Sequence, residues 1–143
     1  MKTINQKLEN VLLVDDDEGT NFLNERIIRL SGYVNNIVKA HNGIQALEYL
    51  KLKINSKHPQ PEFILLDINM PAMNGWEFME AYSQLDEAQK AQIIIVMLST
   101  SLNPDDEKRA REIKEINDFR SKPLTMKMFT DLVEEFFPNR FSE

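Results

Sequence analysis

The stretch FILLDINMP, residues 63–71, decides the fold that the sequence predicts. Its leading apolar residues form a run that is too short for a helix, and we interpret them as a strand buried on both faces. The strand ends on Asp67, a carboxylate whose burial without a partner would be energetically costly. The groups that surround Asp67 are therefore the first question that the sequence raises.

Further short apolar runs, rich in branched side chains, also have the character of strands. They are residues 10–14, 36–40 and 93–98. Another strand, at residues 118–121, is predicted only from its place in the alternation. The segments between the runs have the spacing of amphipathic helices, in which apolar side chains share one face. These faces comprise Phe22, Leu23, Ile27 and Leu30, then Ile44, Leu47 and Leu50, and later Phe129, Leu132, Val133 and Phe136.

Turn and cap signals mark where the predicted helices begin and end. Gly32 follows the first helix, where a helix stop is expected. Asn103 precedes Pro104, which is the typical order of an N-cap and a first-turn proline. Strands that alternate with helices and are joined by short connections indicate a parallel sheet with helices on both faces. The sequence therefore predicts an α/β fold of the (βα)5 type, with a doubly wound five-stranded parallel sheet.

The bulk composition is that of one ordinary globular domain. The chain has 143 residues, of which 42% are hydrophobic and 28% charged. We expect one domain at residues 10–137, flanked by tails at residues 1–9 and 138–143. The lack of cysteine excludes disulfides and thiolate zinc sites, and the net charge of −6 argues against a nucleic-acid surface. Because no apolar run resembles a signal peptide or a membrane span, we expect a cytoplasmic protein that does not bind membranes.

The polar residues that end the predicted strands meet at one edge, because parallel strands all point the same way. Carboxylates this close would raise each other's pKa values unless a cation lay between them. Since the candidate ligands are oxygen atoms only, we predict that the cation is Mg²⁺. The strand-end residues are Asp15, Asp16, Asp17, Asp67, Ser99, Thr100, Ser101 and Lys122.

The same cluster predicts phosphoryl chemistry at Asp67. Phosphoryl transfer is catalysed mainly by positioning and charge neutralisation, and a lysine and a hydroxyl beside a metal suit phosphoryl oxygens. Asp67 is the candidate nucleophile, because a carboxylate can form an acyl phosphate. Asp16 or Asp17 also suits the N-cap of the first helix. We expect Asp17 to cap that helix, and Asp15 and Asp16 to bind the metal.

Four motifs in this order and spacing resemble the receiver domain of two-component response regulators. They are VLLVDDDE, FILLDINMPAMNGWEF, VMLSTS and DFRSKPL, and the resemblance extends over residues 10–137. It implies a flavodoxin-like sheet with the strand order 2-1-3-4-5. It also implies a stand-alone signalling domain that takes a phosphoryl group from a phosphohistidine of a sensor kinase or relay protein. Such a domain phosphorylates itself and slowly loses the group, and is not a turnover enzyme.

The resemblance implies a role for each residue of the cluster. Asp67 is the phosphoacceptor, and Lys122 pairs with its phosphoryl group. The Mg²⁺ ion is held by Asp16 directly, by Asp15, often through water, and by Asp67. The backbone carbonyl of Asn69 completes the metal site.

The resemblance also implies a switch. Ser99 is the switch hydroxyl and Phe119 the switch aromatic; once Ser99 and Lys122 close on the phosphoryl group, the Phe119 ring fills the vacated space. This would change the surface made by the fourth predicted helix, the fifth strand and the fifth helix, where we expect a protein target to bind. The alternative output is that the domain passes the phosphoryl group on. The fourth helix, predicted at residues 105–116, is expected to shift easily. Its apolar stripe consists only of Ala110, Ile113 and Ile116.

Some positions depart from the family pattern. Thr100 stands where the family usually has Ala or Gly, so we expect it to restrict the access of water or phosphodonor to Asp67. Phe119 has no hydroxyl where many relatives have Tyr, so the switch must work through packing. The Lys122–Pro123 bond is expected to be cis by resemblance.

Two other functions are open on the sequence alone. An aspartyl-phosphate hydrolase of the haloacid dehalogenase type also uses an Asp, a hydroxyl, a Lys and Mg²⁺. That group has Asp-x-Asp on its first strand and its acidic pair late in the chain, which is the reverse of the order here. The other alternative is a receiver-like binding module that works without phosphorylation. The complete set of predicted site residues argues against it.

Overall fold

Strands and helices alternate along the chain, as the sequence predicts. The computed structural model describes residues 2–90, 93–100 and 103–142. A short helix at Glu87–Lys90 was not predicted, because it buries no side chain. Within the described ranges, no helix has both the length and the apolar character that a transmembrane span requires. The strands are β1 (Thr3–Ile4), β2 (Leu8–Val14), β3 (Val34–Ala40), β4 (Phe63–Asp67), β5 (Ile94–Ser99), β6 (Asp118–Ser121) and β7 (Phe141–Ser142). The helices are α1 (Glu18–Ser31), α2 (Gly43–Lys51), α3 (Gly75–Ser83), α4 (Glu87–Lys90), α5 (Pro104–Glu112) and α6 (Met126–Phe136), followed by a 3-10 turn at Pro138–Arg140.

A five-stranded parallel sheet has the order β3-β2-β4-β5-β6. Counted along the chain, these strands are in the order 2-1-3-4-5, so the predicted α/β fold is confirmed. Two of them begin earlier than predicted, because Leu8 and Val34 pair with each other across β2 and β3. Leu8 is fully buried. The strand therefore extends beyond the continuous apolar run that the sequence shows.

The central strand β4 separates two apolar cores. Phe63 and Leu65 belong to the core that α1 and α6 cover. Ile64 and Leu66 belong to the core on the opposite face, which α2, α3 and α5 cover. Burying one side chain of this size stabilises the fold by about 1.5–3 kcal/mol. Since β4 is packed on both faces, the position of Asp67 at its end is fixed.

The apolar face that the sequence predicts for α1 does not face the core. Of its side chains, only Ile27 packs against the core, and it is partly buried. The helix instead directs Ile28 and Asn21 inward. A hydrogen bond from Asn21 to the residue after β2 fixes this rotation of the helix, and apolar spacing alone does not show it. The exposed members of the predicted face are Phe22 at 59%, Leu23 at 59% and Leu30 at 68%.

The predicted faces of α2 and α6 are closer to the structure. In α2, Leu47 and Leu50 are buried, but Ile44 is 44% exposed. Gly32 ends α1 with a φ of 73°, in the left-handed conformation that favours glycine. This confirms the predicted helix stop. The buried face of α6 consists of Phe129, Leu132 and Val133, with Phe136 packed beside them.

Helix α5 begins at Pro104 as predicted, with Asn103 as its N-cap, but it ends early. The backbone of Ile113 is extended, with φ −94° and ψ 111°, and this stops the helix. Ile113 and Ile116 still pack against the core, but from the connection that follows. Among the described residues, Ala110 is the only buried side chain of α5. The helix is therefore held by even less apolar contact than the sequence predicts.

The segments predicted to be tails, residues 1–9 and 138–143, contain paired strands. β1 and β7 are antiparallel partners in a separate two-stranded sheet. The ring of Phe141 packs edge-on against Tyr33, with the ring centroids 5.2 Å apart. This aromatic contact gives the terminal segments a partner in the domain, which their composition does not reveal. The domain boundaries themselves stay a prediction.

Candidate functional site

Polar side chains from four strands meet at the carboxyl edge of the sheet. Asp15 follows β2, Asp67 ends β4, Ser99 ends β5 and Lys122 follows β6. The structure brings Asp15, Asp16 and Asp67 together, with one carboxylate oxygen of each within 4.8 Å of the others. Asp15 is 4% and Asp67 7% exposed, whereas Asp16 is exposed. The acidic cluster thus has a buried side and a side that faces solvent.

Lys122 bridges the two buried carboxylates of this cluster. Its Nζ lies 2.7 Å from Asp15 Oδ2 and 3.1 Å from Asp67 Oδ1. The backbone N–H of Lys122 donates a hydrogen bond to the carbonyl of Ser99 at 2.7 Å. The Lys122–Pro123 peptide bond is cis, as the resemblance implied. The ammonium therefore neutralises charge that the burial of Asp15 and Asp67 would otherwise leave unpaired.

The surroundings raise the pKa values of both Asp67 and Lys122. For Asp67, burial is the main cause, the Asp15 carboxylate adds to it, and the hydrogen bond from Lys122 offsets part of the rise in pKa. For Lys122, burial alone would lower the pKa, but the hydrogen bonds to Asp15 and Asp67 outweigh it. The lysine is therefore charged at neutral pH. The ionised form of Asp67 is disfavoured in the metal-free site despite this cation.

Hydrogen bonds fix both the main chain and the side chain of Asp15. Its N–H donates to the carbonyl of Ala40 at 3.1 Å. Its Oδ1 accepts a hydrogen bond from the N–H of Asp17 at 2.9 Å. The Nδ2 of Asn21, in the first turn of α1, donates to the carbonyl of Asp15 at 2.9 Å. Sequence reasoning missed Asn21, because nothing in its spacing shows that this polar side chain faces inward.

Asp17 caps α1, as predicted. Its Oδ2 accepts hydrogen bonds from the Thr20 N–H at 3.0 Å and from the Thr20 hydroxyl at 2.6 Å. These bonds lower the pKa of Asp17. Among residues 2–90, 93–100 and 103–142, the acidic group that can hold a metal ion does not include it. The three successive aspartates are thus divided between a helix cap and the cluster.

Close contact with α3 shapes the loop after β4. The N–H of Gly75 donates to the carbonyl of Ile68 at 2.7 Å, and a Cβ on Gly75 would lie 2.6 Å from the carbonyl oxygen of Asp67. A larger residue there would displace the end of β4. The Asn74–Gly75 pair that opens α3 is the sequence feature that could have indicated this contact. Asn69, predicted to complete the metal site, lies in this loop and is exposed.

The predicted switch residues lie only partly within the cluster. Ser99 is 4% exposed at the end of β5, and Thr100 beside it is exposed. Ser101 lies outside the described residues. Phe119 on β6 is partly buried against the core that includes Ala110. It lines a small cavity of about 60 Å³. The aromatic ring is thus separate from the acids and has open volume beside it.

A contact between α3 and α5 was not predicted. The guanidinium of Arg109 lies over the ring of Trp76, 4.6 Å from the ring centroid. Such a cation–π contact contributes about 0.5–1 kcal/mol at an exposed site. Because α5 buries so little apolar surface, this contact is a substantial part of what holds the helix against α3.

The donor atoms of the cluster fit a hard divalent metal ion. Asp15, Asp16 and Asp67 offer carboxylate oxygens, which are the ligands that Mg²⁺ and Mn²⁺ accept. The exposed carboxylate of Asp16 leaves one side of the cluster accessible to an ion with bound water. The buried side has a fixed geometry, because β2 and β4 are neighbours in the sheet.

Comparison with known proteins gives one consistent result. The family model for the response regulator receiver domain matches residues 11–134. The crystal structure of a two-component response regulator from Cytophaga hutchinsonii has 34% identity and a TM-score of 0.84, covering 93% of this chain and 99% of that chain. The probable methanogenesis regulatory protein FilR2 of Methanothrix harundinacea is 31% identical over 126 residues, which are 87% of this chain and 79% of that protein. The Mn(2+)-bound form of response regulator Rcp1 has 26% identity and a TM-score of 0.68, covering 90% of this chain and 93% of that one.

Proposed function

The chain belongs to the family of response regulator receiver domains, the signalling modules of two-component phosphorelays, and we propose that it is phosphorylated on Asp67. Receiver domains interact with histidine kinases or phosphotransfer proteins and with effector targets. The proposed donor is a phosphohistidine of such a kinase or relay protein. An oxygen of Asp67 attacks the phosphorus, the bond from phosphorus to the histidine nitrogen breaks, and an acyl phosphate forms on Asp67.

The observation that supports this proposal is a cluster of three carboxylates, two of which are bridged by one lysine. One oxygen each of Asp15, Asp16 and Asp67 lies within 4.8 Å of the others, and Lys122 Nζ is 3.1 Å from Asp67 Oδ1. Burial raises the pKa of Asp67, so its ionised form is destabilised in this site until a further cation or a covalent bond relieves its charge. Positioned cations of this kind are the main source of catalysis in phosphoryl transfer.

Receiver domains bind a divalent metal, and we propose Mg²⁺ here. Asp15, Asp16 and Asp67 would hold the ion together with the carbonyl of Asn69. When bound, the ion neutralises charge on the phosphoryl oxygens and on the acids around them. Lys122 then exchanges part of its contact with Asp15 for a contact with the phosphoryl group, because its ammonium already reaches both carboxylates.

A switch at the β5 and β6 edges would follow phosphorylation. Ser99 ends β5, and Lys122 follows the neighbouring strand β6. Asp67 ends β4, the other neighbour of β5, so both side chains can donate hydrogen bonds to the oxygens of a phosphoryl group on Asp67. The cavity beside Phe119 gives its ring room to move as the loop after β5 closes. Helix α5 would shift with that loop, and the surface of α5, β6 and α6 would bind a protein target. A cytoplasmic location stays a prediction.

The phosphodonor would dock against the exposed apolar face of α1. A groove of about 310 Å³ runs between this helix and the Lys122–Pro123 turn, and Leu23 and Leu30 line it. It opens beside the acidic cluster, because Lys122 belongs to both. We expect Leu23→Ser to slow labelling by a phosphorylated relay protein without changing labelling by acetyl phosphate, which needs no docking surface.

Labelling with a small phosphodonor tests the proposed function. The protein is incubated with acetyl phosphate and Mg²⁺, and its intact mass is measured, with Asp67→Asn as the matched control. We expect one added phosphoryl group on the wild type, lost in the variant and in the presence of a chelator. Equal labelling of Asp67→Asn would exclude this nucleophile. No labelling of the wild type would favour a phosphorylation-independent binding module, and steady turnover of phosphate esters would favour a hydrolase.

A further inference from the structure

Asn21 is a buried polar residue that the chemistry described so far does not use. It is 1% exposed, in the first turn of α1, on the side of the helix that faces the sheet. The neighbouring apolar side chain, Phe22, is more than half exposed. An orientation that buries an amide and exposes an aromatic ring is not one that apolar burial favours. Together with the burial of Ile28, a specific interaction of Asn21 therefore holds the helix in this orientation.

That interaction is with the main chain of the acidic loop. The Nδ2 of Asn21 donates to the carbonyl oxygen of Asp15 at 2.9 Å. This carbonyl belongs to the peptide unit that joins Asp15 to Asp16, two of the three residues whose carboxylates form the cluster. Within the part of the chain that the structure describes, the other hydrogen bonds of Asp15 involve its N–H, from which the carbonyl of Ala40 accepts, and its carboxylate. Asn21 is thus the contact that fixes the peptide unit joining Asp15 to Asp16.

The other atom of the same amide is buried without a partner. Among the described residues, no group donates a hydrogen bond to Asn21 Oδ1. An unsatisfied buried acceptor destabilises a fold, so it offsets what the hydrogen bond from the other end of the amide contributes to stability. Stability alone therefore does not explain an asparagine at this position, whereas its hydrogen bond to the acidic loop does.

We propose that Asn21 is a positioning residue for the metal site, which fixes the Asp15–Asp16 peptide so that both carboxylates are ready to bind a divalent cation. This rests on the proposed function, in which Asp15 and Asp16 hold Mg²⁺. Residues that orient metal ligands from behind typically change metal affinity about 10- to 100-fold when they are replaced. Asn21 acts through Asp15 and Asp16 and does not itself touch the ion.

Metal titration of purified protein tests the proposal without any measurement of phosphorylation. Mn²⁺ binding is followed by the loss of the free-ion electron paramagnetic resonance signal, and Mg²⁺ binding by competition. The test variant is Asn21→Leu. The control is Asn24→Leu, because Asn24 is 7% exposed on the same helix and has no hydrogen bond to the acidic loop among the described residues. We expect Asn21→Leu to weaken Mn²⁺ and Mg²⁺ binding about tenfold or more, and Asn24→Leu to change it less than about twofold.

Thermal unfolding without metal separates positioning from a structural role. Because Asn21→Leu removes an unpaired buried acceptor together with one hydrogen bond, we expect its melting temperature to stay within about 4 °C of the wild type. Amide exchange at Asp16 and Asp17 should be faster in this variant only. Asn21→Ala, which adds no bulk, gives the same affinity test if the leucine variant does not fold.

The outcomes distinguish the inference from the proposed function. If the wild type binds the metal and Asn21→Leu binds it equally well, the role of Asn21 is excluded while the metal site stands. An equal loss of affinity in Asn24→Leu would also exclude it, since the effect would then be general to the helix. If the wild type binds neither Mn²⁺ nor Mg²⁺, the proposed metal site fails and the role of Asn21 fails with it.

Discussion

At the scale of single residues, Lys122 determines how the metal-free site tolerates its acids. Its side chain is 16% exposed, and the two carboxylates that it bridges are at most 8% exposed. Two acids this close and this buried repel each other and have lost much of their hydration. The lysine is therefore a structural cation until a metal ion or a phosphoryl group rearranges the charges around it.

Replacing this lysine should destabilise the metal-free protein. We expect Lys122→Met to lower the free energy of unfolding by about 2 kcal/mol, because it leaves a partly buried acid pair without a cation. Mg²⁺ at about 100 times its dissociation constant stabilises a protein by about 2.7 kcal/mol and should restore most of the loss. Urea denaturation with and without Mg²⁺ measures both effects.

The matched control is Lys127→Met, which removes an exposed pair with Asp131. Lys127 is 87% exposed, so we expect its replacement to change the free energy of unfolding little, and by an amount that does not depend on Mg²⁺. Lys122→Met denaturing at the wild-type urea concentration, with or without Mg²⁺, would contradict the role of the lysine as the cation of the metal-free site.

The pKa of Asp67 predicts how stability changes with pH. Its pKa is raised in the folded protein above the ordinary value of 3.8, so between these values the native state binds more protons than the unfolded state. Stability from this group is present below the ordinary pKa and is lost as the pH rises through the raised one. We expect the stability advantage of Asp67→Asn over the wild type, without metal, to grow as the pH rises above the ordinary pKa of 3.8 and to level off above the raised pKa, as measured by urea denaturation.

Asp17→Asn is a control for which we expect the pH dependence of stability to have the opposite sign. The pKa of Asp17 is lowered by its bonds to Thr20, so its contribution is present above the ordinary pKa of 3.8 and lost as the pH falls. The free energy of unfolding of the wild type should therefore increase relative to that of Asp17→Asn as the pH rises. The same pH slope in both variants would mean that the two aspartates do not differ in environment as described.

The sequence predicted the acidic cluster at residue level because parallel strands end at one edge. The strand assignments alone were enough to predict that three acids lie together, namely Asp15, Asp16 and Asp67. Asn21 and Gly75 were not identified, since their importance depends on the rotation of α1 and on the approach of α3. These are tertiary properties, which no local pattern of residue types specifies.

At the scale of elements, α5 is held only weakly by the domain. It buries Ala110 alone among its described side chains, and the contact of Arg109 with Trp76 supplements that packing. Elements with few buried apolar contacts open locally at low free energy. This agrees with the hypothesis from the sequence that this helix shifts easily, and it adds Arg109 as a residue that opposes the shift.

Removing that guanidinium should loosen the helix. We expect Arg109→Ala to lose about 0.5–1 kcal/mol of stability, to speed amide exchange in α5, and to change the emission of Trp76, which is the only tryptophan in the chain. Hydrogen exchange with mass spectrometry and fluorescence measure these effects. Arg111→Ala is the control, because Arg111 pairs with Glu107 on the exposed side of the helix. If both variants exchange alike, the aromatic contact does not hold α5.

Helix predictions failed where apolar spacing had two interpretations. In α1, the spacing identified an apolar face correctly, but that face is exposed beside the groove and not packed on the sheet. In α5, the pattern continued over Ile113 and Ile116, which pack on the core from an extended connection. In both cases the periodicity reported which side chains are apolar, and the tertiary structure decided what covers them.

At the scale of the whole molecule, the parallel sheet followed from the alternation of strands and helices, whereas the strand order was implied by the resemblance to receiver domains. Short apolar runs of branched residues indicate which segments enter the sheet, and short connections limit the possible strand orders. The two-stranded sheet of β1 and β7 was not predicted, because two-residue strands are too short to show a period. Its partners are also at opposite ends of the sequence, where local patterns give no information.

The terminal sheet should contribute to stability without affecting the site. Phe141 packs on Tyr33 and is only partly buried, so we expect Phe141→Ala to lower the free energy of unfolding by about 1–2 kcal/mol. Labelling of Asp67 by acetyl phosphate should keep its wild-type rate. Ser142→Ala, at the exposed neighbouring position, should change stability by less than about 0.5 kcal/mol. A slower labelling rate in Phe141→Ala would contradict this prediction, because it would show that the two-stranded sheet is coupled to the site around Asp67.

The pairing of β1 with β7 has a consequence for engineering. Arg140, just before β7, forms an ion pair with Glu62, at the start of β4, whereas Asp67 is at the other end of this five-residue strand, about 16 Å away. Because β1 and β7 are neighbours, a short linker can join them, and new ends can be opened in the surface loop before Glu62. Such a circular permutant would leave the carboxyl edge of the sheet around Asp67 unaltered. Fluorescent reporters attached at the new ends should therefore not obstruct the docking of a phosphodonor at that edge.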